Sequence, residues 1–249
     1  MSSFNEKLKK ITLKEMLSFF IVLFIIHYLL NSLNIVQVDT VWIYIFIIFY
    51  FVFKLKDAIP YVGEDISELF FPNLIRTILL VVILNIFLSY GMLYFSNFIL
   101  GFVQSRNIFN SFLTGSLIST IIISPISEEL IFRGVFLNRL KLILPTTFAI
   151  LVSSLLFASL HSFGSIFSAF IFGVCVAILY LKTENIFVPI LAHLLNNLFA
   201  EIIVRMDYNG LLFTNDLVIL IMSILAILSL IVIFISILKE LNSIKNNKF

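Results

Sequence analysis

Glu128 and Glu129 stand side by side in the stretch Ser124-Pro125-Ile126-Ser127-Glu128-Glu129-Leu130-Ile131-Phe132-Arg133-Gly134, inside an otherwise apolar run. Adjacent side chains on a helix point about 100° apart, so the two carboxylates meet different neighbours. Glu129 and Arg133 are spaced i, i+4 and can pair along one face, which leaves Glu128 free for another task. Pro125 has no N–H, so the carbonyl of Ile121 loses its helical partner and the helix can kink there. Gly134 marks a close approach or the helix end. Two further stretches carry polar groups: Phe157-Ala158-Ser159-Leu160-His161, and His193-Leu194-Leu195-Asn196-Asn197. His193 and Asn197 share a helical face, while Asn196 is turned away and reads as interfacial packing. Pro189, one turn before His193, weakens the backbone ladder there.

A glutamate, two histidines and an asparagine from three runs form a hydrolytic set if they converge, and two chemistries fit. In one, Glu128, His161 and His193 hold Zn2+ or another divalent metal through one oxygen and two nitrogens, with water in the open position. In the other no cofactor takes part. Glu128 and His161 act as general base on a water, and His193 and Asn197 donate hydrogen bonds to the oxyanion of the tetrahedral intermediate. His27 has only Tyr28 as a polar companion nearby and reads as structural. Cys175, the single cysteine, reads as a small core residue without metal or disulfide spacing.

These side chains have to be positioned in lipid. Of 249 residues 61% are hydrophobic and 12% are charged, against about 25% charged in a soluble domain. Mean hydropathy is +1.15. The expected fold is all-α, a polytopic transmembrane bundle of about eight helices forming one domain over residues 1–249. The apolar runs lie at 16–36, 41–55, 76–100, 112–134, 146–162, 164–181, 186–205 and 216–238. A charge at the centre of a span costs about 2.5 to 3.5 kcal/mol. Glu128 and Glu129 lie well inside a run and therefore need a reason, whereas Glu201 sits near the end of its run.

The first fifteen residues are basic and lead into a run too long for a signal-peptide core, with no small-residue cleavage site after it, so they read as the flank of a retained first span. With the N-terminus in the cytoplasm and eight spans, thirteen of the sixteen Lys and Arg residues fall on the inside. Arg106 and Arg205 fall outside, and Arg133 lies within a span. Both termini are then cytoplasmic in a multi-pass protein of the cell membrane. Residues 56–75, with Asp57, Glu64, Asp65 and Glu68, read equally as an interfacial helix or a connecting loop. Net charge is +2, which gives no reason to expect nucleic acid. Rich Ile, Phe, Asn and Lys usage fits an AT-rich, bacterial genome. One tension concerns depth. Counted from the inner ends of their runs, His161 lies roughly 22 Å along and Glu128 roughly 16 Å along. Run 5 must therefore tilt or start deep.

Glu128-Glu129-x-x-x-Arg133, Phe157-x-x-x-His161 and His193-x-x-x-Asn197, in that order, resemble the three motifs of the CAAX-protease and bacteriocin-processing (CPBP) family, which includes the Ras-converting CAAX endopeptidase. The resemblance covers a protease-like core at about 112–200. It implies an intramembrane endopeptidase acting on peptides or proteins in the membrane, lipid-modified or otherwise membrane-associated. Glu128 would be the catalytic glutamate, His161, His193 and Asn197 would complete the site, and Glu129 and Arg133 would support it. Metal-bound and glutamate-activated water both stay open. The rival readings are a non-catalytic immunity or scaffold protein on the same fold, and an ion-coupled transporter. The latter would show repeat symmetry, and none is visible.

Overall fold

The computed structural model describes residues 3–33, 39–100, 116–161, 166–207 and 209–246. Arg106, the start of run 4 at 112–115, residues 162–165 between runs 5 and 6, and Lys248 lie outside the described residues.

All described secondary structure is helical. The elements are α1 (Ser3–Lys10), α2 (Leu13–Ser32), α3 (Val41–Leu55), a 3-10 turn (Lys56–Tyr61), α4 (Val62–Glu68), α5 (Pro72–Leu100), a composite helix α6 (119–140), α7 (Thr146–Ala158), α8 (Ile166–Thr183), α9 (Phe187–Met206), α10 (Leu211–Thr214) and α11 (Asp216–Asn246). Each of the eight apolar runs carries a helix. Five of these helices, α2, α5, α8, α9 and α11, are long and apolar enough to cross a membrane by length and composition. The helices α3 and α7 have 15 and 13 residues, short of the roughly 20 that a bilayer core asks of a helix. The chain is a multi-pass helical membrane protein.

The basic N-terminal segment is more than the flank of a span. Thr12 separates α1 from α2 with a capping box. Its hydroxyl accepts from Glu15 N–H at 3.2 Å, and the Glu15 carboxylate accepts from Thr12 N–H at 3.1 Å. Freed from α2, α1 tucks its apolar side against the end of α6. Leu8 is fully buried, and a Cβ at Gly134 would come within 2.9 Å of it, so Gly134 marks a close approach. Arg139 donates to the Ile11 carbonyl at 2.8 Å, and Asn5 accepts from the Ile186 N–H at 3.0 Å. Within residues 56–75 a helix does form, and Asn185 ties it to the bundle by donating to the Asp65 carbonyl at 2.8 Å. His27 has a companion that the sequence reading overlooked: Asn31, one turn on, with 3.1 Å between its Nδ2 and the imidazole Nε2.

Two features of α6 and α7 position the site. First, α6 is π-helical at Ser119–Ile123 and Leu130–Leu137, with an α-helical turn at Ser124–Glu129 between them. Such wide turns inside α-helices recur at functional sites. Second, Ser153 on α7 donates to the Phe132 carbonyl at 3.0 Å, which fixes the register of two antiparallel helices. Four residues further along each helix bring Phe157 level with Glu128. The offset of about one helical turn between His161 and Glu128 thus persists in the fold. The α7 helix stops at Ala158, and His161 stands in the turn beyond it, about one helical turn from Glu128 in depth.

Candidate active site

Glu129 and Arg133 form the pair that their spacing implies, with Arg133 Nη1 donating to Glu129 Oε1 at 2.9 Å and both side chains fully buried. The same carboxylate oxygen also accepts from His193 Nδ1 at 2.8 Å. The direct partner of His193 is therefore Glu129, while Glu128 faces elsewhere. The Arg133 guanidinium lies 4.3 Å from the Phe157 ring centre and donates through Nη2 to the Gly173 carbonyl at 3.1 Å. A Cβ at Gly173 would crowd Arg133 Nη2 at 3.3 Å and Phe157 at 3.2 Å, so a side chain there would press on both.

Phe157 stands between the two imidazoles. Its ring centre is 4.8 Å from that of His161 and 5.5 Å from that of His193. Phe172 closes the other side of His193, also at 5.5 Å. His161 Nδ1 donates to the Phe157 carbonyl at 3.2 Å. With Nδ1 of each histidine engaged, the Nε2 atoms are the ones left for chemistry. His161 also feels the charge of Glu128, with His193 and Arg133 close enough to act on it.

Glu128 is buried. It accepts a hydrogen bond from Ser124 one turn before it, and Tyr44 of α3 lies beside Ser124 and Glu128. Neither Ser124 nor Tyr44 figures in the sequence reading. Ser124 carries a local signal, its i−4 spacing to Glu128. Tyr44 carries none, because it arrives from another run.

Asn197 is held by a backbone defect in α6. The Ser124 N–H bonds the Ser119 carbonyl five residues back. In that register the donor for Thr120 would be Pro125, which has no N–H. The orphaned Thr120 carbonyl accepts instead from Asn197 Nδ2 at 2.9 Å. The proline thus frees a carbonyl as expected, but the π-helical register moves the vacancy from Ile121 to Thr120. Asn196 is more than packing, since it joins Asn197 and, from α5, Asn85. Asn138, also unread in the sequence, uses Nδ2 to hold the Arg133 and Gly134 carbonyls of the second π-helical stretch at 3.1 and 2.8 Å.

The donor types for a divalent metal are present in Glu128, His161 and His193. Among the described residues, however, no three His, Cys, Asp or Glu side chains are grouped to hold one. Glu129, Arg133 and His193 form one cluster and Glu128 with Ser124 another, joined through Phe157 and His161.

Fold and side chains together define a multi-pass helical membrane protein with paired glutamates and two histidines in its interior. Residues 110–199 match the family model described as type II CAAX prenyl endopeptidase Rce1-like. Over 82 residues the chain is 38% identical to "Putative membrane peptidase YdiL" of Bacillus subtilis (strain 168), an alignment covering 32% of this chain and 34% of that protein. The chain thus spans about a third of the length of the relative it matches. No solved structure matches. The matches support the resemblance carried by the three motifs: the segment that contains all three is similar to the Rce1-like endopeptidases.

Proposed function

We propose that this chain is an intramembrane endopeptidase that cleaves membrane-associated or lipid-modified peptides with a water activated by Glu128. The observation that supports it most is the placing of His161 and His193 on one aromatic ring, Phe157, in a bundle whose interior also buries Glu128. Carboxylates and imidazoles are costly there unless they have work to do.

In this reading Glu128, with His161 beside it, takes a proton from water, and the hydroxide attacks the scissile carbonyl carbon. The oxyanion accepts from His193 Nε2–H and from the second N–H of Asn197 Nδ2. The Nδ1–H of His193 keeps its hydrogen bond to Glu129, which holds the ring in place. The proton held at Glu128 and His161 passes to the leaving amine as the tetrahedral intermediate collapses. Arg133 and Glu129 position His193 and leave the bond-making to others.

The likeness to the Rce1-like endopeptidases supports a CAAX-like C-terminal segment as substrate, or a leader or bacteriocin peptide if the host is bacterial. The distribution of Lys and Arg supports a cell-membrane protein with both termini in the cytoplasm, its partners being the bilayer and a peptide substrate. The test is cleavage of a membrane-associated peptide in liposomes, read by product mass, for wild type and Glu128→Gln. A loss of at least about a hundredfold is expected, the low end of what a general base contributes. Cleavage within a few-fold of wild type would transfer the protein to the scaffold or immunity class.

A further inference from the structure

Asn85 lies on α5, outside the segment that matches the family, and the residue is 5% exposed. Its Nδ2 donates to Asn196 Oδ1 at 2.8 Å. Asn196 Nδ2 donates to Asn197 Oδ1 at 3.3 Å, and Asn197 Nδ2 donates to the Thr120 carbonyl at 2.9 Å. We infer that Asn85 is a positioning residue for the reaction: through Asn196 it anchors the Oδ1 end of the Asn197 carboxamide, whose direction the Thr120 carbonyl sets, and so holds the second N–H of Asn197 in place. The inference rests on the proposed role of Asn197 as an oxyanion donor.

The direction of the chain is forced by its far end. A carboxamide has a donor end and an acceptor end and can turn over. The Thr120 carbonyl can only accept, so Asn197 must turn its NH2 toward it. Asn197 Oδ1 then needs a donor, which obliges Asn196 to present its NH2. Asn196 Oδ1 in turn needs a donor, and Asn85 supplies it. The order of donors and acceptors thus runs from the proline-made vacancy in α6 across α9 to α5. It leaves the second N–H of Asn197 as the one not spent on Thr120.

Asn85 itself is not fully satisfied. Its Oδ1 is buried without a hydrogen-bond partner. A polar atom kept unpaired in a lipid-solvated bundle is unfavourable, and the N–H that Asn85 gives to Asn196 is what the position gains in return.

The experiment is a double-mutant cycle on peptide cleavage in liposomes, with kcat and KM for wild type, Asn85→Leu, Asn197→Ala and the double variant, and thermal stability for each. Asn197→Ala should lose about a hundredfold in kcat, as removal of one oxyanion donor does. Asn85→Leu should lose about tenfold in kcat, the scale of an outer-shell partner, at unchanged KM and with undiminished stability. In the Asn197→Ala background Asn85→Leu should lose nothing further. An Asn85→Leu variant that keeps the wild-type kcat, or that loses the same factor with Asn197 absent, overturns the positioning role. If Asn85→Leu does not accumulate, Asn196→Leu breaks the same chain at its half-buried middle link and must give the same non-additive loss. An Asn197→Ala variant with the wild-type rate would instead overturn the active-site reading, and the relay with it.

Discussion

One carboxylate oxygen, Glu129 Oε1, receives both His193 Nδ1 at 2.8 Å and Arg133 Nη1 at 2.9 Å. Glu129 is therefore the joint between a helix-internal ion pair and an imidazole on another helix. Removing one partner of a buried pair costs about 3 to 5 kcal/mol, because the other charge is left unpaired. Arg133→Ala should lower folded yield and thermal stability in detergent together with activity. Replacing both charges by methionine, as Glu129→Met with Arg133→Met, should recover stability above either single variant, since apolar substitutes for a buried pair are often neutral or better. The double variant should still be inactive, because His193 has lost the group that orients it. Recovery of cleavage along with stability would show that Glu129 does nothing for His193.

The proline of α6 gives a second test. Pro125→Ala restores an N–H within reach of the Thr120 carbonyl, which now accepts from Asn197. The helix should be at least as stable, since an interior proline is unfavourable. The Asn197 carboxamide loses its sole claim on that acceptor, and kcat should fall severalfold with melting temperature unchanged or raised. A fall in stability would contradict this account of the π-helical turn.

A third prediction concerns the outer scaffold. A Cβ at Gly91 on α5 would lie 2.3 Å from the Cβ of Ala226 on α11. Small residues allow membrane helices this approach, and neither atom belongs to a flexible chain that could swing away. Gly91→Ala should destabilise the bundle strongly, and Ala226→Gly in the same chain should restore most of the loss. Thermal melts of the three variants in one detergent decide it. Failure of the rescue would mean that the helices part for another reason.

How much of this was legible in the sequence depends on what each signal measures. Hydropathy reports which segments prefer lipid, so all eight runs carry helices. Residue type and order report chemistry, so Glu128, Glu129, Arg133, His161, His193 and Asn197 could be singled out. Register is a different matter. Glu128 and Glu129 differ by about 100° of rotation, and the π-helical turns on either side of them shift that angle. No local pattern announced that Glu129, and not Glu128, would meet His193. The early end of α7 was likewise hidden, because His161 and its neighbours are apolar enough to extend the run. Tyr44 and Asn85 come from helices far away in sequence and acquire meaning only once the bundle is assembled. Asn31 beside His27, by contrast, stands at i+4 and is legible in the sequence itself.

The last prediction separates two adjacent residues by one chemical change. Glu128→Gln and Glu129→Gln both replace a carboxylate with an amide of the same size, one residue apart. At position 128 the amide oxygen can still accept from Ser124, and no cation is bonded to the group it replaces. Folding should tolerate the change, since a neutral amide is cheaper to bury than a charge. Cleavage should fall at least about a hundredfold with the loss of the base. At position 129 the same change takes the counter-charge from a fully buried Arg133 and leaves a single neutral oxygen for two donors. That variant should lose stability first, by an amount of the order of 3 to 5 kcal/mol, and lose activity in whatever folded protein remains. Melting temperature and single-turnover cleavage on the same purified samples give both readouts. If the two variants share one profile, stable and inactive or unstable and inactive alike, then the division of labour between the paired glutamates is wrong, and the assignment of Glu128 as the base has to be made again.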